Sequence, residues 1–394
     1  MPNNDYMGDL MIDLNCDALV VGCGISGAVI ARYLAEEKGK KVIIVDRRDH
    51  IAGNMYDFRD ENGITIQKYG PHAFHTKKGK LFEYMKRYSE WERYELTCMV
   101  RMNGKFTPSP FNYQTIDDFY PPEKAEELKT HIRAKYGGAE KTTIVEMLGS
   151  DDPLIKEYAD FLFDNDYSLY TAKQWGISPA EIDVSVLKRV PVLFSYKNGY
   201  FDDEFQAMPK NGFTELLSNM ISHENIDIRL NTDALDLLSV SDGRLLLNGE
   251  PTDKTVVYTG AADELLGCKY GVLPYRSLRF EYRTESTDSY QDAPVVAYPQ
   301  EDGFTRITEF AKLPPQNTDG KTVIALEYPQ PYEAGSSEPY YPILTEQSMA
   351  LYEKYRAELA QIPNLYLCGR LADFKYYNMD QALERALEVC GNLM

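Results

Sequence analysis

The chain has 394 residues, 42 basic side chains against 61 acidic ones and a formal net charge of −19, which argues against a nucleic-acid partner because a polyanion would be repelled. Its length exceeds what one core serves, so two or three domains are expected, and 43% apolar residues suit a globular enzyme and exclude a disordered chain. The six cysteines form no Cys-x-x-Cys pair and do not cluster with the five histidines, which predicts no metal site and a reducing, cytoplasmic compartment. The N-terminus carries Asp5, Asp9 and Asp13 without a basic region, so no signal peptide is expected. The apolar window 18–31 is broken by three glycines and a serine and predicts no membrane span.

Taken in chain order, residues 18–21 (Ala-Leu-Val-Val) read as a buried strand. Gly22-Cys23-Gly24-Ile25-Ser26-Gly27 follows, then the helical pattern 28–35 and a second apolar run, 42–45, that ends at Asp46. This is a strand–turn–helix–strand unit with Gly-x-Gly-x-x-Gly at its first turn and an acid about 20 residues on. Gly22 and Gly24 provide a tight turn and a close backbone approach, and Gly27 lets helix pack on strand. The amides of Ile25, Ser26 and Gly27 then face a pyrophosphate at the positive end of the helix dipole, and Asp46 accepts from ribose hydroxyls. A dinucleotide site is predicted.

Arg47-Arg48-Asp49-His50-Ile51-Ala52-Gly53-Asn54 places basic residues and then a small-residue loop after the ribose acid. Such an extension resembles the FAD-binding class related to glutathione reductase, with Ala52-Gly53 where Gly-Gly is usual. FAD is therefore favoured over NAD, with Arg47, Gly53 and Asn54 near it. The plainer reading of Arg47 and Arg48 is a solvated pair at a strand end.

Residues 64–67 are read as an additional edge strand. Gly70-Pro71-His72-Ala73-Phe74-His75-Thr76 is a turn with two histidines three apart, and 78–91 fits a helix with Leu81, Met85 and Tyr88 on one stripe. Residues 100–106 read as a hairpin around Asn103-Gly104, and 107–112 as a proline-broken loop. From 115 to 165 the periodicity is helical, with stops at Pro121-Pro122, Gly137-Gly138 and Gly149. Strand character returns at 190–194, a helix is predicted at 214–222, and strands at 226–230 and 255–260. Between 277 and 330 several strands suggest an antiparallel sheet with one open face. A strand at 365–368, then Gly369-Arg370, a tyrosine-rich turn and a helix from about 379 close the chain. The expected fold is α/β: a discontinuous Rossmann-like FAD domain (14–80, 206–266, 362–394), a mainly helical insertion (81–187) with a mobile loop near 170–190, and an antiparallel-sheet insertion (188–205, 267–361).

Together the motifs resemble the bacterial UDP-galactopyranose mutase family. The resemblance rests on the His72/His75 turn, Tyr170-Thr171-Ala172-Lys173-Gln174-Trp175-Gly176, Lys188-Arg189-Val190-Pro191-Val192 and Tyr200-Phe201. It continues in Phe304-Thr305-Arg306-Ile307-Thr308-Glu309, Glu338-Pro339-Tyr340-Tyr341-Pro342, Gly369-Arg370-Leu371 and Tyr376-Tyr377-Asn378-Met379-Asp380. These lie in the family's order along almost the whole chain. The resemblance implies a redox-neutral isomerisation of UDP-galactopyranose and UDP-galactofuranose, in which reduced FAD acts through N5 as nucleophile at the anomeric carbon. It further implies an external reductant for the flavin and a homodimer.

By that resemblance Arg189 and Arg306 meet the diphosphate, with Arg370 near it, and Tyr200, Tyr341 and Tyr376 add hydroxyl donors. Tyr170 and Trp175 hold the uracil, with Phe111, Thr171 and Asn378 completing the substrate wall. His75 positions the flavin, and His72, Gly369 and Met379 lie against it. From pattern alone Arg189 could equally be an exposed strand end, Arg306 an outward residue, Trp175 a core anchor and each tyrosine plain packing. The chain departs from the family at Asp166-Tyr167-Ser168-Leu169, at Pro108-Ser109-Pro110-Phe111, at Leu193 and at Asn378. These departures fall on the base and sugar end of the site, and galactose is not told apart from its N-acetylamino relative. The competing readings are a flavin oxidoreductase of the amine-oxidase or desaturase type, which needs an apolar tunnel, and a non-catalytic sugar-nucleotide binder.

Overall fold

A central parallel strand is covered on both faces and must be apolar along its whole length. Residues Ala18–Val21 meet that requirement. In the computed structural model, which describes residues 14–176, 187 and 190–393, they form the middle of a five-stranded parallel sheet. The order across it is Ile226–Arg229, Val42–Val45, Ala18–Val21, Thr255–Tyr258, Leu365–Leu367. Leu19 thus lies between Ile43 and Val256, so strands far apart in the chain share one sheet. One face is covered by helix Ile25–Glu36, packed with Phe213–Ile221 and Met379–Asn392. Helix Glu346–Leu359 lends Tyr352 and Tyr355 to the core on the other face.

A seven-stranded sheet stands opposite, in the order Tyr341–Pro342, Tyr275–Glu285, Thr322–Pro331, Arg306–Glu309, Val295–Ala297, Cys98–Met102, Lys105–Ser109. Strand alternation gives it two chemically distinct faces. Val296, Ile307, Ile324 and Leu326 form an apolar cluster on one side. Arg306 and Glu327, directly opposite each other in register, lie on the other side and line the central cavity.

Several expectations are corrected. The hairpin around Asn103-Gly104 forms, with both turn residues at positive φ, but it joins the large sheet and not a helical unit. Its parallel pairing with Val295–Ala297 means that the sheet is mixed, not purely antiparallel. The second hairpin strand runs through Pro108 where a loop was expected, because an edge strand has no ladder bond to lose there. Pro191–Leu193 pairs with Lys141–Thr143, placing it with the helical layer and not with the large sheet. Thr65–Gln67 pairs only with Asp57–Arg59 and does not extend the parallel sheet. The helix expected over 78–91 stops at Lys86; Trp91 turns into a strand whose ring packs on Phe74 and Phe82.

The helical layer starts and stops where its caps dictate. Asn112 accepts from the Gln114 N–H, and Asp152 accepts from Leu154 and Ile155 ahead of Pro153. Gly137 ends the helix Pro122–Tyr136 in the left-handed region. Ile116, Leu128, Ile132, Ile155, Tyr158 and Leu162 form the core beneath. No helix among the described residues is long and apolar enough to cross a membrane.

Candidate active site

A cavity of 780 Å³ lies between the carboxyl ends of the parallel strands and the polar face of the large sheet. On the first wall, Gly24, Ile25, Ser26 and Gly27 line it directly, with Thr259 and Gly369 from the two neighbouring strand ends. Ligands of open parallel sheets bind at this edge. The glycines do different work. A Cβ on Gly27 would lie 1.9 Å from the Gly22 carbonyl oxygen, and one on Gly22 (φ +97°) 2.0 Å from Thr259 Oγ1. Both are demanded by the fold itself. A Cβ on Gly24 would meet only the Cα of Gly53, at 3.8 Å, so there the protein leaves a space that it does not fill. Gly53, at φ +55°, brings the second small-residue turn against the first, and Asn54 beside it also lines the cavity.

Asp46 binds the turn together: its carboxylate accepts from Cys23 N–H at 2.8 Å and from Arg48 N–H at 2.9 Å. Arg48 donates to Asn54 Oδ1 at 3.0 Å and to Glu338 at 2.7 Å, and lies over the Tyr69 ring. Arg47 lies off the cavity wall, within 3.6 Å of Glu338 and 4.0 Å of Glu264.

The second wall carries the charge. Arg306 donates from Nε and Nη2 to Oε2 of Glu327, at 2.8 and 2.6 Å. Burial opposes its charge, but Glu327, Tyr170 and Tyr341 outweigh that and raise its pKa, so the guanidinium stays ionised. Arg370 donates to the carbonyls of Tyr340 and Tyr377 and lies over the rings of Tyr341 and Tyr376, which stack on each other at 5.3 Å. Tyr200, Tyr170, Thr171, Asn378 and Met379 line the same space. Asn378 stands ahead of the helix Met379–Asn392, its N–H donating to Gln381 Oε1.

The two histidines differ. His72 donates from Nδ1 to the Gly70 carbonyl, and burial, with Arg370 adding, pushes its pKa down to about 4, so it is a neutral ring with Nε2 as acceptor. His75 donates from Nδ1 to Asp203 and stacks on Phe201, ring centres 3.6 Å apart. Both line the cavity.

Phe111 is a correction. It is buried in the core of the helical layer against Tyr167, and Ser109 and Pro110 stand at the cavity instead. Arg189 and the side chain of Trp175 lie outside the described residues. Sequence reasoning missed Arg276, which lines the cavity with its guanidinium over Tyr341, and Glu327, the partner of Arg306. A carboxylate inside the apolar run 323–326 and its neighbours was the available signal for Glu327. Nothing local marks Asp203 as the partner of His75, 128 residues away. Among the described residues no group of three or more His, Cys, Asp or Glu is placed to hold a metal.

Residues 166–376 match the model of the UDP-galactopyranose mutase family, and residues 20–88 match that of an NAD(P)-binding Rossmann-like domain. A probable UDP-galactopyranose mutase of Klebsiella pneumoniae is 35% identical, covering 96% of this chain and 95% of its own. The chain belongs to the UDP-galactopyranose mutase family. A dTDP-fucopyranose mutase of Escherichia coli is 34% identical over 95% of this chain and 97% of its own. A crystal structure of reduced UDP-galactopyranose mutase shares the fold, with a TM-score of 0.71 at 16% identity, covering 96% of this chain and 94% of that one. The cofactor of this mutase family is FAD, and the open space at Gly24 beneath the amides of Ile25 and Ser26 fits its pyrophosphate.

Proposed function

We propose that this member of the family interconverts UDP-galactopyranose and UDP-galactofuranose. The observation that carries the reading is the meeting, in one cavity, of the glycine cradle and a wall holding Arg276, Arg306 and Arg370. In a chain of net charge −19, cations gathered in this way suit an anionic substrate. Reduced FAD supplies, through N5, a nucleophile for the anomeric carbon, with no net redox change.

The chain's own groups do the rest. As the anomeric bond breaks, charge rises on the departing diphosphate. Arg306, oriented by Glu327, meets it with charge-assisted hydrogen bonds, and Arg189 would add a second guanidinium to the diphosphate. Arg370, fixed by two carbonyls, and the hydroxyls of Tyr200, Tyr341 and Tyr376 hold phosphate and sugar. Tyr170, Thr171 and Trp175 take the base, and Asn378 the sugar side. His75, held by Asp203, positions the flavin, and the neutral His72 offers it an acceptor. Gly369 and Met379, which line the cavity, would hold the flavin ring, and Asp46 would accept from the ribose. The oxidoreductase alternative is not favoured: it calls for an apolar tunnel, and this wall is cationic and phenolic. An external reductant, a homodimer and a cytoplasmic location belong to the same reading, as does division into FAD, helical and sheet parts.

Dithionite-reduced protein incubated with UDP-galactofuranose is expected to form UDP-galactopyranose through many turnovers while consuming no further reductant. Product separation by anion-exchange chromatography reads the outcome. Equal turnover by the oxidised protein would remove the N5 role, and stoichiometric NAD(P)H consumption would restore the oxidoreductase. A parallel incubation with a dTDP-linked hexose, the nucleotide in the name of the Escherichia coli relative, separates that substrate from the UDP sugar.

A further inference from the structure

The helix that carries Tyr170 is not continuous with the one before it. Pro153–Leu162 passes into a π-helical turn, Phe163–Tyr167, before α geometry resumes at Ser168–Trp175. A π turn re-aims the side chains that follow it, and such turns occur mostly where function requires them. This one sets Asp166 in the wall of the cavity, one turn ahead of Tyr170.

Asp166 is 9% exposed and lines the cavity, and among the described residues its carboxyl forms no hydrogen bond or ion pair. That separates it from the other buried carboxylates. Asp57 accepts from Phe213 and Thr214 N–H, and Asp263 from Leu273 N–H. Glu309 accepts from Tyr290 and Gln291 N–H, Glu327 from Arg306, and Asp373 from Arg385 and Gly369 N–H. A carboxyl nine-tenths buried, with no protein partner and open to the cavity, is placed to be completed by a ligand there. The titratable groups around it are the phenols of Tyr167 and Tyr170, both held un-ionised by burial, and neither supplies positive charge. Burial alone pushes the Asp166 carboxyl up to about 7.

We propose that Asp166 reads the nucleobase: as the neutral acid it donates its O–H to a ring carbonyl and accepts from the N3–H of a pyrimidine imide. Uracil and thymine share that edge. A carboxylic acid sets one donor beside one acceptor and so matches an imide, whereas a carboxylate has only acceptors and faces the carbonyls with like charge. Guanine, with two adjacent N–H donors, would instead suit the ionised form. This inference rests on the nucleotide-sugar reading above and assigns its base-specificity residue.

The test is titration of oxidised, FAD-loaded protein with UDP-galactopyranose, which is not turned over in that state and whose diphosphate does not titrate between pH 6 and 8.5. A carboxyl with a raised pKa is protonated below about pH 7 and ionised above it. Wild-type affinity should therefore fall about tenfold as pH rises across that range, the equivalent of one hydrogen bond. Asp166→Asn, whose amide also pairs a donor with an acceptor, should bind equally at every pH. Asp166→Leu should bind about tenfold more weakly than wild type at pH 6. UDP-galactose carrying N3-methyluracil should lose the same factor with wild type and nothing more with Asp166→Leu, a ligand-side check that needs no new fold. Retained flavin absorbance confirms that each variant is folded.

A flat pH profile, with Asp166→Leu and the N3-methyl analogue binding as wild type binds UDP-galactose, would overturn the assignment while leaving the nucleotide-sugar reading intact. Tighter binding of GDP-mannose than of UDP-galactose would overturn the imide assignment. Failure of flavin-loaded wild type to bind UDP-galactose at any pH would overturn both.

Discussion

Arg306→Ala is expected to lose turnover by about 10²–10³, the typical cost of deleting one donor aimed at developing charge. It should lose stability too, because Glu327, whose side chain is 4% exposed, would lose its ion-pair partner. Leaving one member of a buried ion pair alone costs on the order of 3–5 kcal/mol. The alanine variant therefore confounds catalysis with folding, and Arg306→Lys separates them. A lysine ammonium can still neutralise Glu327, so the melting temperature should stay near wild type. It cannot hold Glu327 and a phosphate oxygen with one planar fork, so turnover should remain depressed by at least tenfold. Steady-state kinetics on flavin-replete protein, with thermal melts alongside, reads both effects. Near-wild-type turnover in Arg306→Lys together with Arg306→Ala would remove Arg306 from the diphosphate.

Gly24→Val is expected to abolish FAD retention while the apoprotein still folds. The new side chain would meet only the Gly53 Cα from the protein side, at 3.8 Å for its Cβ, and would fill the space left for the pyrophosphate. Gly27→Ala is the contrast. Its Cβ would strike the Gly22 carbonyl oxygen at 1.9 Å, inside the packing of helix Ile25–Glu36 on the parallel sheet, and should cost folding itself. Absorbance near 450 nm after gel filtration, beside circular dichroism, distinguishes a colourless folded protein from an unfolded one. Stoichiometric FAD in Gly24→Val would show that the cofactor does not approach this turn.

Much of the molecule was readable from local pattern alone. The run Ala18–Val21, the glycine triplet, Asp46 and the apolar strands read at 255–260 and 365–368 predict a discontinuous nucleotide-binding sheet, and a five-stranded parallel sheet forms. Strand burial and turn chemistry act over a few residues, so sequence carries them directly. The Asn103-Gly104 hairpin was readable for the same reason, yet which sheet it joins was not. That depends on Val295–Ala297, almost two hundred residues later, offering a matching parallel register. Phe111 shows the same limit, since a large apolar side chain suits a substrate wall and a core equally, and only packing against Tyr167 placed it in the core.

The sequence by itself determined which chemistry was present: a dinucleotide cradle, arginines and tyrosines for an anionic sugar nucleotide, and two histidines near them. Only the tertiary structure decided what each group is paired with. Glu327 holds Arg306 because two antiparallel strands place them opposite each other, and Asp203 holds His75 across 128 residues of chain. Glu338 and Glu264 pair with Arg47, and a single π turn carries Asp166 into the cavity with no hydrogen-bond partner among the described residues. Pairing is decided by which backbones pack side by side, and the orientation and charge state of a buried side chain follow from its pairing.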